Sequence, residues 1–206
     1  MLKKLPQEVV RAVEAMRVAK SALGQAFSFN LVAQNRMLSC RVGCAHCCTW
    51  PMDVTILEGI DICSYLMAKN RWTTRLREKV QLAADTLTGL TFQIWVHSQT
   101  TCIFLDDTNH CTIYERRPFV CQCTVSTGLP SECQNYQAAQ GVNVVPRVLH
   151  TMAFRNVEET ILSAHRVKMH TMPLATALLA AEPICLGNME LWQANASVFA
   201  EHLGRV

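Results

Sequence analysis

The sequence predicts a mainly α-helical fold, a helical shell around an irregular cysteine-rich centre that carries a short β-hairpin. Three observations predict it. Apolar residues recur at helical spacing towards both ends of the chain. Eleven cysteines are present, and most crowd into segments with loop composition. Half of the 206 residues are hydrophobic and only 17% are charged, enough apolar surface for one well-filled core. The chain is therefore expected to form a single domain over residues 1–206, with a cysteine-cluster core at about 40–133 flanked by N-terminal and C-terminal helices.

The first helix is expected from Pro6 to about Asn35, with Val9, Val13, Met16 and Leu23 on one face. Pro6 suits a first helical turn, where no backbone N–H is needed. Residues 40–53 carry four cysteines with Gly43 and Pro51 and are expected to be loop. Thr55 followed by Glu58 is a capping-box pattern launching a helix through Ile56, Ile60, Cys63 and Met67. A further helix is expected from about Arg71 to Thr88, with Gly89 as its stop.

Around Cys102 the periodicity changes. Cys102-Ile-Phe-Leu and Cys111-Thr-Ile-Tyr are short β-prone runs separated by a turn-forming segment, Asp106 to His110. They read as a hairpin or as knuckles around a metal. Pro118 ends any strand there, and Ser126 to Gly141 reads as loop. Helical spacing returns at Val157–Met169, Pro173–Ala181 and Met189–Leu203, the last with Asn188 as its cap.

Composition narrows the classes of function. A net charge of +3 is too mild for a nucleic-acid partner. Arg71, Arg75 and Lys79 would share a helix face, read here as an ordinary solvated surface. Glu8, Arg11, Glu14 and Arg17 interrupt any signal-peptide core, and Met172 to Leu186 is too short to span a bilayer. The expectation is a cytoplasmic protein without membrane contact. No P-loop, dinucleotide fingerprint or nucleophile elbow occurs.

In a cytoplasmic chain, clustered cysteines point to metal or redox chemistry before disulfides. Nine of the eleven fall in two blocks: Cys40-x3-Cys44-x2-Cys47-Cys48, then Cys102, Cys111, Cys121, Cys123 and Cys133. A turn separating two thiols by two or three residues lets both sulfurs face one ion, and zinc or an iron–sulfur cluster takes about four thiolates. Eight or nine cysteines can supply two sites or one polynuclear site. Cys63 and Cys185 lie in apolar helical segments and read as core residues. His46 and His110, each beside a cysteine, read as spare ligands or as donors that orient one. The spacing of the first three thiols also occurs in radical-SAM enzymes. The flanks here lack that fold's alternating strands and helices, and the second block would go unexplained.

The first block with Asp53-Val-Thr-Ile-Leu-Glu58, then Cys102-Ile-Phe-Leu and Cys111-Thr-Ile-Tyr-Glu-Arg-Arg-Pro118-Phe-Val-Cys121, resembles the YkgJ-like cysteine-cluster family of zinc- or iron-chelating proteins. The resemblance spans roughly residues 40–133 and implies that Cys40, Cys44, Cys47, Cys48, Cys102, Cys111 and Cys121 are metal ligands, with Cys133 by analogy with a further downstream cysteine. The first gap has three residues where that family usually has two, and Cys123 is an addition without a counterpart. Arg116 and Arg117 would balance the charge of gathered thiolates, Pro118 would fix the turn returning Cys121 towards Cys111, and Tyr114 would pack.

The expected cofactor is an iron–sulfur cluster in preference to zinc, because the Cys47-Cys48 block lacks the paired two-residue knuckles of a zinc ribbon. The expected role is a structural or redox accessory module working with a protein partner. The competing expectation is a metal-dependent protein-modifying enzyme, since related cysteine-cluster proteins are connected with lysine N-methylation.

Overall fold

The computed structural model describes residues 5–35, 38–41, 43–50, 52–98, 100–127, 129, 131, 133 and 148–193. The expected mainly helical architecture is found. Helix α1 spans Gln7–Ala33 and buries Val9, Ala12, Val13, Met16, Phe27 and Leu31. Pro6 sits just ahead of it in extended conformation. Helices α2 (Ile56–Ala68) and α3 (Thr74–Leu87) follow, then a short helix α4 (Phe92–Ser98) that periodicity did not indicate. After the cysteine-rich centre come α5 (Phe119–Cys123), α6 (Val148–Ala164), α7 (Leu174–Cys185) and α8 (Met189–Gln193).

The sheet is two-stranded and antiparallel, with β1 (Asp53–Thr55) paired to β2 (Thr171–Pro173) and Val54 opposite Met172. Each strand runs directly into a helix, β1 into α2 and β2 into α7. Three residues are too few to show a two-residue period, so neither strand was legible beforehand. The hairpin expected around residues 102–114 is a tight turn closed by one antiparallel bridge, Leu105 to Cys111.

Helices α2 and α7 form the centre of the core, with Leu57, Ile60, Leu66, Leu178, Ala181 and Ile184 at or near zero exposure. Gly59 permits their close approach. A Cβ placed there would stand 2.7 Å from the carbonyl oxygen of Ala177. Cys63 and Cys185 are buried in the same core, as expected of them.

Boundaries moved where local hydrogen bonding overrode periodicity. Helix α2 ends because Asn70 turns left-handed at φ 54° and Arg71 donates its N–H back to Leu66 O at 2.7 Å. The following helix therefore starts only after Thr73, whose hydroxyl accepts from Leu76 N–H. This takes Arg71 off the expected basic face, and Lys79 donates to Ile103 O at 2.8 Å. The helix expected at Val157–Met169 begins earlier, at Val148, and stops at Ala164, where Arg166 turns left-handed at φ 59°. Helix α7 runs on to Cys185 instead of ending at Ala181. Most of the loop expected at Ser126–Gly141, and the end of the helix expected to reach Leu203, lie outside the described residues. Among the described residues, no helix is long and apolar enough to cross a membrane.

Candidate metal centre

Four elements deliver the thiols. Cys47 and Cys48 sit in one turn of 3-10 helix, His46–Thr49, within the segment expected to be irregular. That turn has about three residues per revolution, so neighbouring side chains point some 120° apart. Cys102 and Cys111 flank the 106–110 turn, Cys121 lies on α5, and Cys133 is described on its own beyond it. No disulfide joins the cysteines among the described residues.

A main-chain hydrogen bond joins the two blocks. Cys102 N–H donates to Cys48 O at 2.8 Å. Around it the thiols raise one another's pKa: Cys47, Cys102 and Cys121 act on Cys48, Cys111 and Cys47 on Cys102, Cys47 on Cys111, and Cys102 and Cys47 on Cys121. Cys40 lies further out. Its sulfur accepts Ser126 N–H at 3.3 Å, and its strongest thiol neighbours are Cys47, Cys44 and Cys133. Cys133 is buried beside Trp50, Met52 and Val120, with Cys47 and Cys121 packed against that group.

The two cysteine blocks are therefore neighbours in the fold. Their arrangement is a neighbourhood, not a finished cage: among the described residues, no three His, Cys, Asp or Glu side chains converge on a metal-sized point. The donor chemistry still fits a thiophilic metal. The thiols are numerous, unbridged and drawn from segments far apart in sequence, and soft sulfur donors suit iron–sulfur clusters and zinc.

The electrostatics of the cluster explain why these thiols stay protonated by themselves. Burial pushes Cys102 up to about 11, with partial relief from the Phe104 backbone N–H and Lys79. Burial also raises Cys121 well above the usual thiol range and raises Cys111, and in both Arg117 opposes the shift. Cys48 is raised chiefly by its hydrogen bond to Cys47. A bound cation would supply the charge that these sulfurs need to ionise.

The two arginines expected to balance thiolate charge divide their work. Arg117 stacks on the Tyr114 ring at 4.2 Å and acts on Cys111 and Cys121. Arg116 is engaged elsewhere. It pairs with buried Asp61 at 3.7 Å and lies over the Tyr65 ring. His110 is occupied inside its turn, with Nδ1 2.8 Å from Thr108 Oγ1. Asp106 Oδ1 accepts from Thr108 N–H and His110 N–H, which explains both the turn and the lowered Asp106 carboxyl. Cys123, the addition without a counterpart, is fully buried in the main hydrophobic core.

What sequence reasoning missed is the support beneath the cluster. Glu58, one turn into α2, is 1% exposed. Thr55 caps α2 as expected, accepting Glu58 N–H, but the Glu58 carboxylate does not turn back to complete the capping box. It accepts Phe119 N–H at 2.7 Å and so holds the start of the helix that carries Cys121. Lys20 stands 3.7 Å from Glu58 Oε1 and donates to Arg117 O at 2.7 Å, and Arg155 faces Glu58 Oε2 at 3.6 Å. Arg155 also pairs with buried Glu158, whose carboxylate accepts from Thr55 Oγ1. Burial, then the nearby Glu58, pushes Glu158 up to about 8. Two acids, Glu58 and Asp61, within an otherwise largely apolar helix were the signal available for this network.

The family model described as "Putative zinc- or iron-chelating domain", CxxCxxCC, matches residues 39–160. No curated protein and no solved structure matches the chain.

Proposed function

The chain belongs to the CxxCxxCC family of zinc- or iron-chelating domains, whose model matches more than half of it, and from that premise we propose that its cysteine cluster holds an iron–sulfur centre, or failing that zinc. What supports this reading is the family match over residues 39–160 together with the main-chain bond from Cys102 N–H to Cys48 O, which joins the two cysteine blocks. Cys40, Cys44 and Cys133 join Cys47, Cys48, Cys102, Cys111 and Cys121 in the ligand set. The lean to iron–sulfur rests on the local backbone, because adjacent thiols on a 3-10 turn differ from the paired knuckles of a zinc ribbon.

Bound there, an iron–sulfur centre would supply one-electron redox capacity, and zinc would supply cross-linking of the loops. The protein's own part is to gather the thiols, to oppose their negative charge with Arg117, and to anchor Cys121 through the Glu58 to Phe119 bond. The role is a structural or redox accessory module in the cytoplasm. Its partner is a protein, a reading supported by Phe29 and Val32, which stand 72% and 77% exposed near the end of α1.

Anaerobic purification followed by an absorption spectrum, iron, zinc and sulfide analysis on one sample tests the reading. A broad band near ~400 nm with matched iron and sulfide is the expected result for a thiolate-held cluster. Stoichiometric zinc would select the closed structural site. Neither metal, with the cysteines recovered as disulfides, would overturn it.

A further inference from the structure

We infer that the cleft between α1 and α5 is a binding site for a small organic anion, a molecule with one carboxylate or phosphate head and a short apolar body. The inference is independent of the metal-binding reading, and none of the eight expected ligands lines the cleft.

The cleft has a volume of about 480 Å³, within the range of sites that take molecules of metabolite size. A bare ion would leave most of it empty. Its sides come from segments far apart in sequence: Lys20, Gly24 and Phe27 on α1, Arg117 just before α5 and Gln122 on it. Lys20 and Arg117 bring two cations, the Ser21 and Ser28 hydroxyls stand at the exposed rim, and among the described residues no carboxylate lines the cleft. Such a wall repels cations and favours an oxyanion.

Neither cation is used up within the fold. Lys20 is only 8% exposed, and its ammonium gives one hydrogen bond, to Arg117 O at 2.7 Å. Glu58 Oε1 stands 3.7 Å away, beyond hydrogen-bond length, so Nζ keeps N–H capacity for another acceptor. Among the described residues Arg117 pairs with no carboxylate, and its guanidinium lies 4.2 Å from the centre of the Tyr114 ring. Stacking uses the face of the guanidinium, while the fork that binds a carboxylate or phosphate lies along its edge.

Gly24 supplies a second, independent observation. It sits inside a 27-residue helix, where glycine costs about 1 kcal/mol against alanine. Packing does not demand it. Among the described residues a Cβ there would meet only Gln122 Oε1, at an ordinary 3.6 Å. At Gly59, by contrast, a Cβ would stand 2.7 Å from a main-chain oxygen. The effect of Gly24 is to keep the cleft open, because a larger side chain would reach from α1 towards Gln122 and fill it. Phe27 and Cys123, both buried, give the cleft an apolar side for the body of the ligand.

Calorimetric titration tests the site, using the full chain with whatever metal it carries as purified, in a low-salt buffer free of carboxylate and phosphate. Benzoate and phenyl phosphate are the anionic probes, and benzamide is the neutral one. At least one anion should bind one to one with a Kd of about 1 mM or tighter, a modest demand for about ten non-hydrogen atoms. Benzamide should bind at least about fivefold more weakly. The tighter of the two anions identifies the head group. Gly24→Leu fills the cleft and should weaken binding at least about tenfold. It should melt no lower than the wild type, since leucine is the better helix former. Gln25→Glu sets a carboxylate at the exposed rim and should weaken anion binding at least about threefold. Binding of neither anion below about 10 mM, or equal affinity for benzamide, would overturn the inference. So would wild-type affinity in Gln25→Glu or in a folded Gly24→Leu. None of these outcomes bears on metal content, which is measured separately.

Discussion

The same residue type sits in two settings in this protein, and the contrast separates chemistry from packing. Cys63 and Cys185 lie on α2 and α7, buried in the apolar core, where Cys63 is hydrogen-bonded to Cys185 and Cys185 Sγ donates to Ile60 O at 3.8 Å. The cysteines at 40–48 and 102–121 lie on loops, on one turn of 3-10 helix and on α5, are at least partly accessible, and have other thiols from distant segments nearby. A helix surrounds its cysteine with hydrocarbon and leaves it an inert small hydrophobe. The clustered thiols pack at the edge of the apolar clusters with other thiols beside them, and a shared cation would make their ionised forms favourable.

The sharpest way to break this contrast is to exchange the two settings by mutation. Cys121→Ser should lower the metal content of the purified protein, whereas Cys63→Ala should leave it unchanged, both read by metal analysis. Equal loss in the two variants would erase the distinction. The next largest effect is expected beneath the cluster. Glu58→Ala leaves the buried Phe119 N–H without its acceptor and takes one of several partners from Lys20 and Arg155, at a cost of about 1–3 kcal/mol in thermal or denaturant unfolding. Glu58→Gln keeps an oxygen for Phe119 N–H and should lose less.

In the helical region, Gly59→Ala places a methyl 2.7 Å from Ala177 O. Overpacking there should cost roughly 1–3 kcal/mol, although alanine is the better helix former by about 1 kcal/mol. Denaturant unfolding measures the balance, and a stabilised variant would show that α2 and α7 have room to separate. The smallest effect is a pH dependence. Glu158 is raised in the fold to about 8, so the stability it contributes is complete below the ordinary glutamate range and is lost as pH rises through 8. The melting temperature should fall between about pH 5 and 8.5, and Glu158→Gln should flatten that slope. A slope unchanged in the variant would remove Glu158 as its source.

Much of the helical frame was legible. The spacing of Val9, Val13 and Met16 marks the buried face of α1, and Thr55 does cap α2. Helix ends were read less well, because Asn70 and Arg166 take left-handed conformations that apolar periodicity does not register. The paired strands at 53–55 and 171–173 were invisible because each is three residues long and depends on a partner far away in the chain.

The sequence by itself determined which residues are candidates for the chemistry and which build the frame: the two cysteine blocks, the Arg-Arg-Pro turn and the apolar faces that make the frame helical. These are short-range properties, set by spacing, turn propensity and side-chain type within a few residues. Only the tertiary structure decided which of those residues meet. It sent Cys123 into the core, Arg116 to Asp61 and Arg117 to the thiols. It also turned Glu58 from a cap residue into the anchor of the Cys121 helix. The physical reason is that each choice is made by a burial cost or a hydrogen bond between segments distant in sequence. Such terms are settled only when α1, α2, α5 and α6 close around the same buried acids.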